Sequence, residues 1–329
     1  MNKRKIEDIK RYYYTQYKIL VPSENSVNLA KTLWDNWEKT DFTRPNVDDI
    51  AANAVNRNIQ LFDEIVKITE KIEKKYLRIE YCPFILEEYN FSAFSADDGY
   101  LVLVDESFYG VLFFLTFVFM FDAYNFIQDD EKGSIMSFVN SIVDIYIERK
   151  SFESFSNAVN DNTLHSLMKK DYETAEFAIY FYQSIQIFII AHEISHHLLG
   201  HTKGTIKKNM VINDHCVEIE TDKRDKLDEF EADELGYKIF LEVMNTTDDS
   251  IDVAYCKYRF EFAPLFLFDL FEKLDEIKGK QANDYTTHPT PTERKDNLLK
   301  HCAIEDSDLL YKDFVEIMKN NMKRQILVT

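Results

Sequence analysis

Ala191-His192-Glu193-Ile194-Ser195-His196-His197-Leu198-Leu199-Gly200-His201 is the stretch on which the reading of this chain turns. Within it, His192, Glu193 and His196 spell HExxH. On a helix, residues four apart stand one above the other on the same face. His192 and His196 can therefore aim two imidazoles at one metal ion, with the Glu193 carboxylate one step round, beside that ion. The helix expected to carry them runs from Tyr172 to Leu199 and is apolar nearly all round, so it should be buried, with Gly200 placed to end it. His197 stands about 100° round that helix from His196. It is expected to pack or hydrogen-bond rather than share the metal.

HExxH alone arises by chance in roughly one chain of this length in fifty, so the reading needs a third ligand. A metzincin would carry glycine three residues after the second histidine and a third histidine three beyond it. Here those positions hold Leu199 and Thr202, which excludes that class. Downstream, Asp228 to Met244 (DEFEADELGYKIFLEVM) reads as an acidic helix on which Glu229 and Asp233 are again four apart. Glu229 can supply the oxygen ligand, and Asp233 can accept a hydrogen bond from a ligand histidine. The competing reading of Glu229 is a solvated helix face. One helix giving two histidines and another giving a glutamate make a gluzincin type of zinc site. Its chemistry is metal-assisted peptide hydrolysis, with Glu193 taking a proton from the activated water and handing it to the leaving amine.

HEISHHLLGH followed by EFEAD resembles the HtpX and CAAX-endopeptidase type of zinc peptidase. That family reads HExxH with a further histidine five residues on (His201), then ExxxD (Glu229 and Asp233), then a late His-Pro followed by an arginine. The last element stands here as Thr287-His288-Pro289-Thr290-Pro291-Thr292-Glu293-Arg294. Upstream, Asn90–Phe94 and Asp98–Val104 look like the family's edge hairpin. The resemblance spans about residues 90–300. It implies Zn²⁺ held by His192, His196 and Glu229, with Glu193 as the base. It assigns stabilisation of the tetrahedral oxyanion to His288, with Asp233 in support. The phage-exclusion peptidase Lit and the ImmA/IrrE regulators share the HExxH core and are nearer in size, so a triggered or regulatory peptidase, with a role in antiviral defence, is one implication. An activating partner protein or peptide would fit such a role. A catalytically silent zinc-stabilised scaffold that binds proteins is the alternative, against which the intact Glu193 stands.

Composition narrows the rest. The 329 residues include 45% apolar side chains, enough for a sizeable core. Only 7 Gly and 6 Pro point to long helices and few tight turns. A net charge of -19 repels a phosphate backbone, so nucleic acid is excluded as a partner, and basic peptide segments are favoured. The N-terminus lacks the apolar stretch of a signal peptide. Cys82, Cys216, Cys256 and Cys302 show no CxxC spacing, as in a reducing cytoplasm. Two apolar runs, Ser107–Phe121 and Phe177–Ala191, are each fifteen residues long. That falls short of the ~20 a membrane span needs, and both are expected as buried core helices in a cytoplasmic protein with no membrane partner.

The expected fold is α+β and mainly α-helical: a zincin-like catalytic domain at 81–329 with a helical N-terminal extension or cap at 1–80. In the extension, Ser26–Glu38 reads as an amphipathic helix with Trp34 and Trp37 as packing residues, and Asn46 can cap a helix from Val47 towards Lys75. Asn90–Ala96 and Tyr100–Val104, joined at Asp97-Asp98-Gly99, read as a hairpin beside the active helix. An extended protein or peptide substrate can pair with its edge. Residues 202–228 read as charged and irregular, either a lid or a plain surface connection. His165, His215 and His301 have no motif partner. The Phe-rich run Phe260–Phe271 reads as a core helix.

Overall fold

A computed structural model describes residues 5–7, 9–10, 47–84, 91–124, 126–149, 167, 170–203, 205–212, 215–222, 226–246, 260–280, 288–302 and 309–322. The expectations for Ser26–Glu38, Trp34, Trp37, Asn46, His165 and Cys256 lie outside these residues. The elements are α1 (Val47–Glu73), β1 (Ile79–Phe84), β2 (Phe91–Ala96), β3 (Gly99–Asp105), α2 (Glu106–Ala123), α3 (Lys132–Glu148) and α4 (Tyr172–Leu199). After a short 3-10 turn at His201–Lys203 come β4 (Thr205–Ile212), β5 (His215–Asp222), α5 (Lys226–Asn245), α6 (Ala263–Ile277), α7 (Pro291–Leu299) and α8 (Leu309–Asn321). The chain is mainly helical with a small three-stranded sheet, as its composition predicts.

The hairpin forms as expected. β2 and β3 pair antiparallel, Ala96 opposite Gly99, so Asp97 and Asp98 make a two-residue turn. β1 adds to the other side of β3 in parallel, giving the order β1-β3-β2. β3 is thus central and buried from Leu101 to Asp105, and Pro83 sits in an edge strand, where a missing N–H is tolerated. β2 is the other edge, and it packs against α4. Ile6, Cys82, Leu101 and Leu103 form a small apolar cluster separate from the main core. The Asp98 carboxylate holds the N-terminal segment there, accepting from the Ile6 N–H at 2.9 Å.

α2 leaves β3 directly. Asp105 caps it by accepting from the Ser107 N–H, and the helix is buried almost throughout, as its apolar run predicts. α4 spans the residues expected of it. The Asp171 side chain accepts from the Thr174 N–H at its start, and Gly200, at φ 79°, supplies the left-handed residue at its end. Midway, Phe181 meets the rings of Phe260, Phe262, Phe266 and Phe314, which fixes α4 against α6 and α8. One turn before His192, the Phe188 ring meets Phe240 of α5 and Phe268 of α6 edge-on. Phe262, Phe266 and Phe268 are core residues, as expected. Among the described residues, Glu173–Leu199 is one helix long and apolar enough to cross a membrane, and most of its apolar window is buried inside the protein. α1 packs on α4, α5 and β1.

One expectation is corrected. The described residues between 205 and 222 are not irregular: β4 and β5 pair antiparallel over eight residues each, from Thr205 opposite Asp222 to Ile212 opposite His215. Lys207 falls opposite Glu220 in this register. The charges that suggest an irregular segment are therefore spaced for a strand pair.

Candidate metal centre

Three helices converge on one buried point. α4 brings His192, Glu193 and His196, α5 brings Glu229 and Asp233, and α7 brings Arg294, with His288 on the loop before it. His192, Glu193, His196, Glu229 and Asp233 are all buried. The helix crossing depends on Gly236, one turn beyond Asp233. A β-carbon there would lie 2.9 Å from the His192 Cα and 3.0 Å from its backbone nitrogen. Only a residue without a side chain lets α5 come this close to the motif backbone.

His192 Nε2 and His196 Nε2 are 3.1 Å apart. The Glu229 oxygens lie 3.5 Å from the first and 3.6 Å from the second. A tetrahedral ion with bonds of about 2.0–2.1 Å has ligand–ligand edges of about 3.3–3.4 Å, so the three groups are spaced as ligands of such an ion. Among the described residues, this trio is a group able to hold a metal ion.

The outer nitrogens explain which ring atoms face inward. His192 Nδ1 is 2.9 Å from Asp233 Oδ1. An ionised carboxylate only accepts, so Nδ1 carries the proton and Nε2 turns a lone pair into the site. His196 Nδ1 is 3.1 Å from His201 Nδ1. His201 Nε2 in turn is 3.2 Å from Glu231 Oε2 and 3.5 Å from Asp228 Oδ1. If His201 donates through Nε2, its Nδ1 accepts from His196, whose Nε2 is then also bare. Two lone pairs and a carboxylate facing one another in a buried space suit a cation. The Arg294 guanidinium, with Nη2 3.4 Å from His192 Nε2 and Nη1 3.6 Å from Glu229, meets that need in part.

Without a metal, a proton on His192 is favoured. Burial and the Arg294 charge oppose an imidazolium at His192, but the hydrogen bonds of Asp233 and Glu229 outweigh them and raise it to about 9. Burial opposes the Glu229 carboxylate, and His192, His288 and Arg294 outweigh it, holding it well below the usual range.

Arg294 is the site residue that the expected set of ligands and catalytic groups lacks, although the His-Pro…Arg element quotes it. Its Nε and Nη2 bond the two oxygens of Asp233 at 2.8 and 2.5 Å, and Nη1 lies 3.6 Å from Glu229. Burial opposes its charge, and Asp233, Glu229 and Glu193 outweigh that, holding it more firmly protonated than usual. His288, on an exposed loop, places Nδ1 3.4 Å from Glu229 Oε1. It therefore stands at the mouth of the site, against the candidate ligand. His197 behaves as expected: its Nδ1 is 3.2 Å from Thr202 Oγ1, and its ring packs on Tyr100 at 4.5 Å. Thr202 also accepts from Ser95 Oγ at 2.7 Å, which ties β2 to the end of α4. His301 lies 3.6 Å from Glu234, away from this cluster of ligands.

The buried charges sum in a telling way. Glu193, Glu229 and Asp233 bring three negative charges and Arg294 one positive, so neutral imidazoles leave an excess that a divalent cation would cancel. Comparison with protein-family models, with curated proteins and with solved structures finds no match to this chain.

Proposed function

We propose that this chain is a zinc-dependent endopeptidase with a zincin-like catalytic core, cutting an extended protein segment. The observation that carries the reading is the buried His192–His196–Glu229 trio at tetrahedral-edge spacing, with Glu193 buried one residue from His192. Two imidazoles and one carboxylate suit Zn²⁺ better than the oxygen-preferring Mg²⁺ or Ca²⁺. Bound there, the ion would supply Lewis-acid activation of a water and of the scissile carbonyl.

The protein's own groups do the rest. Glu193 accepts the water's proton and passes it to the leaving amine. Asp233 fixes the His192 tautomer, and His201 does the same for His196. Arg294 neutralises part of the carboxylate charge and holds Asp233 in place. His288, at the mouth, is free to turn a ring N–H towards the developing oxyanion, the role that the family resemblance assigns it. β2, an edge strand beside α4, offers main-chain groups to a strand-like substrate.

The test joins metal content to turnover. Protein purified without chelators should hold about one zinc per chain by elemental analysis, and His196→Ala should lose it. The loaded protein should cleave an unfolded protein substrate, and Glu193→Gln should not. Zinc retained with no cleavage of any unfolded substrate would favour the protein-binding scaffold, and absence of metal would end both readings.

A further inference from the structure

α6 buries one carboxylate in its most apolar stretch. In Ala263–Phe271 every other residue is apolar, yet Asp269 stands among them with its side chain 1% exposed. It accepts from Lys295 Nζ of α7 at 2.8 Å and from the Tyr311 hydroxyl of α8. A well-packed apolar residue would hold three helices together at lower desolvation cost. A buried charge added to such packing can set direction and register.

What it sets is visible one residue away. Phe268 and Asp269, consecutive on α6, receive Arg294 and Lys295, consecutive on α7. The Arg294 guanidinium lies 4.8 Å above the Phe268 ring while Lys295 bonds Asp269. α7 has only nine residues, too few to hold a helix in place without tertiary contacts. Its exposed side is tied by Thr292 to Glu272 at 2.6 Å and by Glu293 to Lys226 at 3.2 Å, contacts that water weakens. Its inner side is held by buried Pro291 and Leu298, by the Arg294–Asp233 pair, and by Asp269 on Lys295. Burial opposes the Lys295 charge, and the Asp269 bond outweighs it. Lys295 is 22% exposed, so it can turn to water once its partner is lost.

We propose that Asp269, with Tyr311 closing it from α8, is a positioning residue for Arg294. It fixes the rotation of α7 on α6, and so places the guanidinium on Asp233 and beside His192. The inference rests on the metal-site reading and adds to it a support outside the trio. A roll of one residue turns a helix by about 100°, so a small slip of α7 takes Arg294 off Asp233. Asp233, the partner of the His192 Nδ1, then loses the guanidinium that holds it in place.

Co²⁺ uptake tests this, because its visible spectrum reports ligand geometry and its affinity is measured by chelator competition, both without turnover. Asp269→Asn should weaken Co²⁺ binding about tenfold, the scale of supporting-residue effects, and shift the spectrum. In an Arg294→Ala background the same substitution should change affinity by less than about twofold, because its effect passes through the missing guanidinium. Tyr311→Phe, which removes a single hydroxyl from a kept ring, should shift the spectrum the same way by less. An unchanged spectrum and affinity in both Asp269→Asn and Tyr311→Phe overturns the inference, as does an equal loss in both backgrounds, which would mark a general loosening. A wild-type chain that takes up no Co²⁺ overturns the metal reading and this inference together. Normal uptake with indifferent Asp269 variants overturns the inference alone.

Discussion

Gly236 lies so close to His192 that a β-carbon on it would sit 2.9 Å from the histidine's Cα. The two helices that supply the candidate ligands therefore touch backbone to backbone at the first ligand. The spacing of His192, His196 and Glu229 depends on that contact.

Gly236→Ala tests the dependence. The added methyl has no flexible neighbour to displace, so α5 must move off α4. Overpacking of this kind typically costs about 1–3 kcal/mol. Chemical denaturation should show a loss of that size, and zinc content should fall with it. Full zinc content at unchanged stability would mean that the helices have room to spare.

Glu193→Gln keeps the shape of the side chain and removes its ability to hold a proton. The variant should bind zinc and denature like the wild type, with hydrolysis of an unfolded protein slowed about 10²–10⁴-fold. Comparable turnover in both proteins would take the base role from Glu193.

Stability should depend on pH differently with and without metal. In the metal-free protein His192 is raised from 6.5 to about 9. Its contribution is present in full below pH ~6.5 and is lost as pH rises towards ~9. Glu229, lowered below 4.5, adds a loss only on the acid side. A metal replaces the His192 proton, so zinc-loaded protein should hold its stability between pH 6.5 and 9 while stripped protein declines. Urea midpoints at the two ends of this window settle it, and a flat midpoint for the stripped form would contradict the assignment.

Thr202→Val removes the hydroxyl that joins Ser95 to His197 while keeping the shape. The loss of these bonds should cost about 1–2 kcal/mol. The metal trio is untouched, so zinc content should stay at the wild-type level. If β2 receives the substrate, KM should rise with kcat little changed; an unaltered KM would separate substrate binding from this strand.

Much of this was legible in the sequence because it rests on local signals. α4 runs from Tyr172 to Leu199 and stops at Gly200, because an apolar run ends in a residue that accepts a left-handed conformation. The β2–β3 turn falls at Asp97-Asp98 for a similarly local reason. The two i, i+4 pairs are brought together by the fold, which no local pattern dictates but two helices with one shared need suggest. Less legible were features defined only by contact. Gly236 reads as a weak point in a helix until the His192 backbone is seen against it. His201 is a matched motif position without a stated role until its Nδ1 meets His196. The lysines and glutamates between Lys207 and Glu220 resemble a solvated loop because strand pairing places opposite charges far apart in the chain.

The order in which these helices leave the ribosome has its own meaning. His192 and Arg294 are 102 residues apart, which at ~5–20 residues per second is about 5–20 seconds of synthesis. During that interval the paired imidazoles exist before α7, and for part of it before Glu229 and Asp233. An ion met then would find two nitrogens on an exposed helix and nothing to retain it. The trio comes together only once α5 has docked on α4. On the proposed metal reading, a chain cut before Glu229 would carry the HExxH motif without the third ligand, and one cut before Arg294 would lack the guanidinium that holds Asp233.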